Sequence, residues 1–159
     1  MVSGTHVSPR PETAVLYSTT VAQLALLVIQ LLLGFWLALF AVFPPYRQTA
    51  PFSMWYMMNS MSGIPALAMH MWLGMVIALV SVMILIVSLL SGRTSYMVMS
   101  VVAMAAILFA GTGGMGFVWS GLGNDVFSFI MAIGALAAVV AYSIQFGSIS
   151  ASAGKKAIP

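Results

Sequence analysis

Charge is what this sequence most lacks. Only 4% of its 159 residues are Asp, Glu, Lys or Arg, whereas 62% are hydrophobic and the mean hydropathy is +1.12. A water-soluble fold needs charged side chains to cover its surface, so this composition excludes one. The chain is therefore predicted to lie in a lipid bilayer, and we expect the plasma membrane.

Cysteine is absent, and acidic residues are almost absent. The lack of cysteine excludes disulfides, thiolate metal sites, iron–sulfur ligation and thioether-linked haem. Glu12 and Asp125 are the only two carboxylates, which argues strongly against hydrolysis by paired acids and bases. The scattered positive residues do not form a basic patch, so we expect no nucleic-acid partner.

Four long apolar runs fill most of the chain, and each is long enough for a spanning helix, which needs ~20 residues. They cover residues 20–43, 66–90, 96–120 and 126–146. The runs are continuously apolar, not alternating, which favours helices over barrel strands. The sequence predicts an all-α integral membrane protein, an antiparallel four-helix bundle. Its transmembrane domain would cover residues 20–146, with cytoplasmic tails at 1–19 and 147–159.

The basic residues predict the orientation of the bundle. Arg10, Arg93, Lys155 and Lys156 fall on one side of the four helices, and Arg47 alone falls on the other. The positive-inside rule then places both termini in the cytoplasm. Residues 51–62, in the outer loop between the first two helices, are predicted to form a short helix at the membrane–water interface.

Small and polar residues recur at steps of three and four on the predicted helices, and such stripes are expected to face inward. They are Gln23, Gln30, Gly34, Ala38 and Ala41 on the first helix, His70, Gly74, Ala78, Ser81 and Ser88 on the second, and Asp125, Ser128, Ala132, Ala135 and Tyr142 on the fourth. On the glycine-dense third helix, Thr112, Gly116 and Ser120 form a small-xxx-small row. That row predicts tight packing inside the bundle or against a neighbour.

His70 is the only residue within the predicted spans that titrates near neutral pH, and ionisable groups at such depth are candidates for function. It could ligate haem, bond a quinone head group, or serve as a polar packing residue. A bis-histidine haem needs a second histidine in the membrane, but the only other one is His6, in the N-terminal tail. Our first expectation is therefore that no cofactor binds. Gln30, near mid-membrane, is expected to hydrogen-bond across helices.

Asp125 begins the fourth predicted helix, where its charge suits the helix N-terminus or could cap it. A sharper hypothesis pairs Asp125 with His70, because both lie near the outer surface on inward faces. The carboxylate would then favour the charged imidazolium and fix its tautomer. His70, Asp125 and Gln30 are thus the candidate cofactor-binding residues.

Methionine is abundant, at 14 residues, and many of them crowd the outer end. The run Met69-His70-Met71 offers thioethers, which are soft ligands for Cu(I). Neighbours on a helix point in different directions, however, and methionine also fills irregular apolar space. A metal site on these three residues is a further hypothesis.

Three short motifs resemble those of a family of small four-helix membrane proteins of actinobacteria and archaea. They are Gln30-Leu-Leu-Leu-Gly34, His70-Met-Trp-Leu-Gly74 and Asp125-Val-Phe-Ser128-Phe-Ile-Met131-Ala132, and the resemblance covers about residues 20–146. It implies the bundle fold but no biochemical role. The chain also resembles half of haem A synthase, with its Gln-x-x-x-Gly motif and His-led second helix. That bundle has a second histidine on helix four, which is missing here.

We expect a non-catalytic membrane subunit, an accessory or structural part of a respiratory or other electron-transfer complex. The lack of catalytic groups and the glycine-rich helix faces support this expectation, with lipid and other membrane subunits as partners. One alternative is a b-type haem- or quinone-binding electron carrier that uses His70. Another is a Met-rich copper-handling membrane protein.

Overall fold

The computed structural model describes residues 11–42, 65–120, 122 and 124–154, and within them it has four helices. α1 is Pro11–Phe40, α2 is Pro65–Leu90, α3 is Thr94–Trp119 and α4 is Asp125–Gly154. All four are long and apolar enough to cross a membrane. The shortest have 26 residues and span ~39 Å, against ~30 Å for a hydrocarbon core. The predicted all-α four-helix architecture is confirmed.

The helices form a ring in which α1 packs against α2, α2 against α3, α3 against α4, and α4 against α1. Neighbours are antiparallel. Gln30 of α1 faces His70 of α2. Seven residues earlier on α1, Gln23 contacts Ile77, which lies seven residues later on α2 than His70. The end of the bundle with the α2–α3 turn is called the Arg93 end below, and the opposite end is the Asp125 end.

The first and last helices are longer than predicted. α1 begins at Pro11, where proline suits the first helical position, and Glu12 places a negative charge in the first turn. Leu16 is 0% exposed and Ile149 is 1% exposed, and both belong to the central core. Residues 11–19 and 147–154 are therefore part of the bundle, and the prediction that they form tails is wrong.

Two predictions fall partly or wholly beyond the described residues. The interfacial helix at 51–62 lies outside them. So do Arg10, Arg47, Lys155 and Lys156, which leaves Arg93 as the one described residue of those used for orientation. The location of both termini in the cytoplasm therefore stays a prediction.

The core has a large central cluster and a smaller one near the Asp125 end. The central cluster contains Leu16, Leu27, Ile77, Ile84, Tyr96, Ala103, Ile107, Ala138, Ala141, Tyr142 and Ile149. The smaller cluster contains Leu37, Leu67, Val118 and Leu122. Leu37 takes the inward position in the last turns of α1, so its neighbour Ala38 is exposed and not inward as predicted.

Helices α3 and α4 approach each other most closely, and glycine makes that approach possible. A Cβ atom added at Gly134 would lie 2.7 Å from the backbone oxygen of Ala106 and 2.7 Å from the backbone nitrogen of Ala110. A Cβ added at Gly116 would overlap the Phe127 ring. The two backbones are therefore in direct contact, as small residues allow in lipid.

The predicted row of Thr112, Gly116 and Ser120 is wrong as an internal contact. Only Gly116 is buried; the other two are exposed, and each hydroxyl donates to a carbonyl of its own helix, Phe109 at 2.7 Å and Phe117 at 2.9 Å. The face of α3 that meets α4 instead carries Gly113 and Gly116.

Replacing Gly134 by alanine is expected to destabilise the bundle by about 1–3 kcal/mol, because the added methyl group meets backbone atoms that cannot move aside. The matched control is Gly147→Ala, at an exposed position of the same helix where an added Cβ meets nothing within 4 Å. Thermal unfolding in detergent measures both. Equal stability of the two variants would contradict the close contact of α3 and α4.

Candidate functional site

The structure brings Gln30 and His70 together, although they are 40 residues apart in the chain. The amide nitrogen of Gln30 lies 3.2 Å from Nε2 of the imidazole and 3.0 Å from the backbone oxygen of His70. One amide group thus contacts both the ring and the backbone of the same residue. This contact ties the middle of α1 to the first turns of α2.

A glycine one turn after Gln30 makes room for His70, and a glycine one turn after His70 makes room for Gln30. A Cβ added at Gly34 would lie 3.1 Å from Cε1 of His70, and one added at Gly74 would lie 3.4 Å from the amide nitrogen of Gln30. Because the helices are antiparallel, the Gln-x-x-x-Gly segment of α1 and the His-x-x-x-Gly segment of α2 fit each other reciprocally. The four residues that the sequence singled out separately form one site.

The contacts fix the tautomer of His70. The His70 carbonyl accepts a hydrogen bond only from the NH₂ side of the Gln30 amide, so that side must face α2. The same NH₂ group then faces Nε2, which must act as the acceptor. The imidazole is therefore neutral, with its hydrogen on Nδ1.

Two polar atoms of the site are left without a protein partner. Nδ1 of His70 and Oε1 of Gln30 are both buried, and neither makes a hydrogen bond with any described residue. The site therefore keeps one unused donor and one unused acceptor. A small polar group that offers both a lone pair and a hydrogen, or a carbonyl that accepts from Nδ1–H, would complement it.

Haem ligation does not fit this arrangement. An iron ligand must offer a lone pair, but the Nε2 lone pair accepts from Gln30 and Nδ1 carries the hydrogen. Gly34 also lies against the Cε1 side of the ring. His6 lies outside the described residues, and so the second histidine that the haem hypothesis required cannot be placed.

The predicted pair between Asp125 and His70 is wrong. Asp125 is exposed, and the ring nitrogens of His70 either face Gln30 or make no hydrogen bond. The reason is that the face of α2 with His70 packs against Gln30 of α1, whereas Asp125 lies at an exposed position in the first turn of α4. The cap of α4 is Asn124, whose side-chain oxygen accepts from the Val126 backbone N–H at 3.1 Å. Asp125 adds charge to that first turn.

The three residues of the copper hypothesis do not share one environment. Met69 is 63% exposed on the outside of α2, whereas Met71 is partly buried against the smaller core cluster. His70 faces α1. Among the described residues, no group of three His, Cys, Asp or Glu side chains could hold a metal ion.

A second polar cluster, which the sequence did not predict, lies in the half of the bundle toward the Arg93 end. The hydroxyls of Ser88 and Ser100 lie 2.7 Å apart, and the Gln145 amide nitrogen donates to them at 3.1 and 2.9 Å. All three residues are fully buried, and they join α2, α3 and α4. Gln145 could have been found, because it lies three residues after the inward-facing Tyr142.

Arg93 closes this end of the bundle. Its guanidinium donates to the Tyr96 hydroxyl at 3.0 Å and to the Ser152 hydroxyl at 2.6 Å, and it lies 5.3 Å from the centre of the Tyr96 ring. The α2–α3 turn is thereby tied to the last turns of α4. A residue that the sequence analysis used only for its charge also has a structural role.

Comparison of the chain with known protein families, with characterised proteins and with solved structures finds no match. The resemblance to a four-helix family and to haem A synthase therefore stays a hypothesis that rests on the short motifs alone. The function must be inferred from the geometry of this bundle.

The tautomer of His70 can be tested directly. In protein labelled with ¹⁵N on histidine and carrying His6→Ala, NMR of the single remaining imidazole is expected to show a neutral ring protonated at Nδ1. Gln30→Leu should abolish that preference, because it removes the donor that holds Nε2 as an acceptor. A wild-type ring protonated at Nε2 would rule out the hydrogen bonding described here.

Proposed function

We propose that this protein is a non-catalytic membrane subunit, an accessory part of an electron-transfer assembly in the plasma membrane. The observation that carries the proposal is a row of small residues on the outside of α4. Ser143, Gly147 and Ala151 follow one another at steps of four, and all three are exposed. Such a row is the surface that a neighbouring transmembrane helix needs for close approach.

The internal packing of the bundle does not explain Gly147. The buried glycines Gly113, Gly116 and Gly134 face atoms that would collide with a side chain, but a Cβ at Gly147 would meet nothing within 4 Å. Glycine in a helix costs ~1 kcal/mol relative to alanine. A second helix packed against α4 would account for glycine at this exposed position, and a subunit of a larger assembly would provide that helix.

The link to electron transfer rests on the Gln30–His70 site. A neutral imidazole with an unused hydrogen on Nδ1 is a donor for an oxygen of a membrane-soluble redox carrier. The chain itself offers little for catalysis, because it has no cysteine and its two carboxylates, Glu12 and Asp125, are both exposed. An accessory role beside a redox-active partner fits these features.

Gly147→Leu is the sharpest test of the partner surface. The bundle itself should tolerate the leucine because the space around Gly147 is open, but a partner helix would be forced away. Recovery of the partner subunit in a mild-detergent pull-down from the native membrane should fall about fivefold or more, equivalent to ~1 kcal/mol.

The matched control for this test is Val140→Leu, at an exposed position of α4 that already carries a branched side chain. It should leave partner recovery unchanged. If Gly147→Leu keeps both its thermal stability and its partners, the row on α4 contacts lipid only and the proposal fails.

A second candidate is a quinone-binding carrier, and the unused Nδ1–H of His70 favours it over haem. A quinone carbonyl could accept that hydrogen, and the free Gln30 oxygen could accept from a hydroquinone hydroxyl. Because both atoms are buried, the head group would have to separate α1 and α2 slightly as it enters from the lipid.

Labelling with a photoreactive quinone analogue tests this second candidate. Labelling should fall about tenfold in His70→Leu, as expected for the loss of one hydrogen bond worth ~1.4 kcal/mol. Gln145→Leu, which removes a buried amide of α4 in the other polar cluster, should label like the wild type. A Soret band in the native protein that disappears in His70→Ala would instead favour haem.

A further inference from the structure

Buried polar residues lie among the apolar core residues toward the Arg93 end of the bundle, and neither proposed function uses them. The fully buried polar residues in this half share an exposure of 0%; they are Thr20, Gln23, Ser81, Ser88, Ser100 and Gln145. They come from all four helices. Tyr142 joins them through a hydrogen bond to Ser81.

The cluster of Ser88, Ser100 and Gln145 leaves one acceptor unpaired. Two amide hydrogens and two hydroxyl hydrogens are available for its three contacts, so the amide must point its NH₂ group at the hydroxyls. If the amide were reversed, only two hydrogens would remain for the same three contacts. Oε1 of Gln145 then faces away from the serines, buried and without a hydrogen-bond partner in the part of the chain that the structure describes.

Two side-chain oxygens of α1 in the same half of the bundle are also buried without a hydrogen-bond partner among the described residues. Gln23 donates its amide hydrogen to the Ile77 carbonyl at 3.0 Å, but its Oε1 is buried and none of the described residues donates to it. The Thr20 hydroxyl is also buried and unpaired among the described residues. Buried polar side chains are nearly always satisfied by protein or by ordered water, so each of these atoms indicates a missing hydrogen-bond partner.

A partly open cavity at the surface of the α2–α3 turn borders the cluster of Ser88, Ser100 and Gln145. It has a volume of about 150 Å³ and is lined by Ser88, Leu89, Gly92, Arg93, Thr94 and Met97. One water needs only ~10–15 Å³ of such space. Ser88 lines this cavity and also belongs to the buried cluster, so it connects the two.

The missing donor must be small and electrically neutral. The only carboxylates of the chain, Glu12 and Asp125, are both exposed, so no buried anion balances a cation among Thr20, Gln23 and Gln145. A bare cation there would bear its full desolvation cost. Water is the neutral molecule that donates to amide oxygens and both donates to and accepts from hydroxyls.

We propose that the Arg93 end of the bundle holds a water-filled inlet, entered beside Arg93, whose water hydrogen-bonds to Gln145 in the cluster with Ser88 and Ser100. The inlet stops below the Gln30–His70 site. Leu27 is the only buried residue of α1 between Gln23 and Gln30, and it is 2% exposed within the apolar core cluster. Water from one side would thus reach part of the way across the membrane and no further.

The absence of cysteine allows a clean test in the full-length protein, reconstituted in lipid vesicles. Ser100→Cys and Ala103→Cys place a thiol on the same helix, one turn apart, at two positions that are both 0% exposed. Methyl methanethiosulfonate reacts with the thiolate, which forms where a thiol meets water. Ser100→Cys should be modified at least ~10-fold faster than Ala103→Cys, by mass spectrometry. Leu27→Cys should react as slowly as Ala103→Cys.

Equally slow modification at Ser100→Cys and Ala103→Cys would mean a dry interior and would overturn the proposal. Equally fast modification would mean that the whole bundle opens, which also overturns it. A measurement on the wild type covers the case in which Ser100→Cys fails to fold. Solid-state NMR should show magnetisation transfer from water to the side-chain amide of Gln145, and none to the Ala103 methyl group. Lack of transfer to Gln145 would refute the inlet.

Discussion

Hydrocarbon offers no hydrogen-bond partner, and this constraint governs how the four helices meet. Two glutamines of α1, seven residues apart, each donate to a backbone carbonyl of α2, and the accepting residues Ile77 and His70 are also seven apart. Sliding α1 along α2 by one turn would break both bonds and leave two amides unpaired in the membrane. The register of the first pair of helices is therefore set by amides, while apolar contacts fill the space around them.

The sequence predicts the number of helices and most of the inward stripes, because both follow from local patterns of hydropathy. It could not predict the full length of α1, since residues 11–19 contain polar side chains that a hydropathy window rejects, although Leu16 is buried. It also paired His70 with Asp125, although His70 faces Gln30 of α1 and Asp125 is exposed. Depth along a helix can be estimated from sequence, but the order of helices around a ring depends on contacts between distant residues.

The difference between local sequence patterns and distant contacts also explains which polar residues of the two clusters the sequence could predict. Gln30, Gly34, His70 and Gly74 stand out individually, and the structure unites them because their spacing matches across an antiparallel pair. Ser100 lacks such a signal, since an isolated serine is common in helices, and the only signal at Gln145 is its spacing of three residues from Tyr142. They matter because they contact Ser88 and each other, and these contacts form only when α2, α3 and α4 pack together.

The two pairs of helices resist separation in different ways. Between α3 and α4, the glycine contacts bring backbones together over several turns and are short-ranged, so a small separation abolishes them. Between α1 and α2, a few directional bonds such as the one from Gln23 to Ile77 carry more of the attachment. The α1–α2 pair depends on its register, because both glutamine bonds form only when Gln23 is opposite Ile77 and Gln30 is opposite His70. Close backbone contact therefore holds one side of the bundle together, and matched hydrogen bonds hold the other.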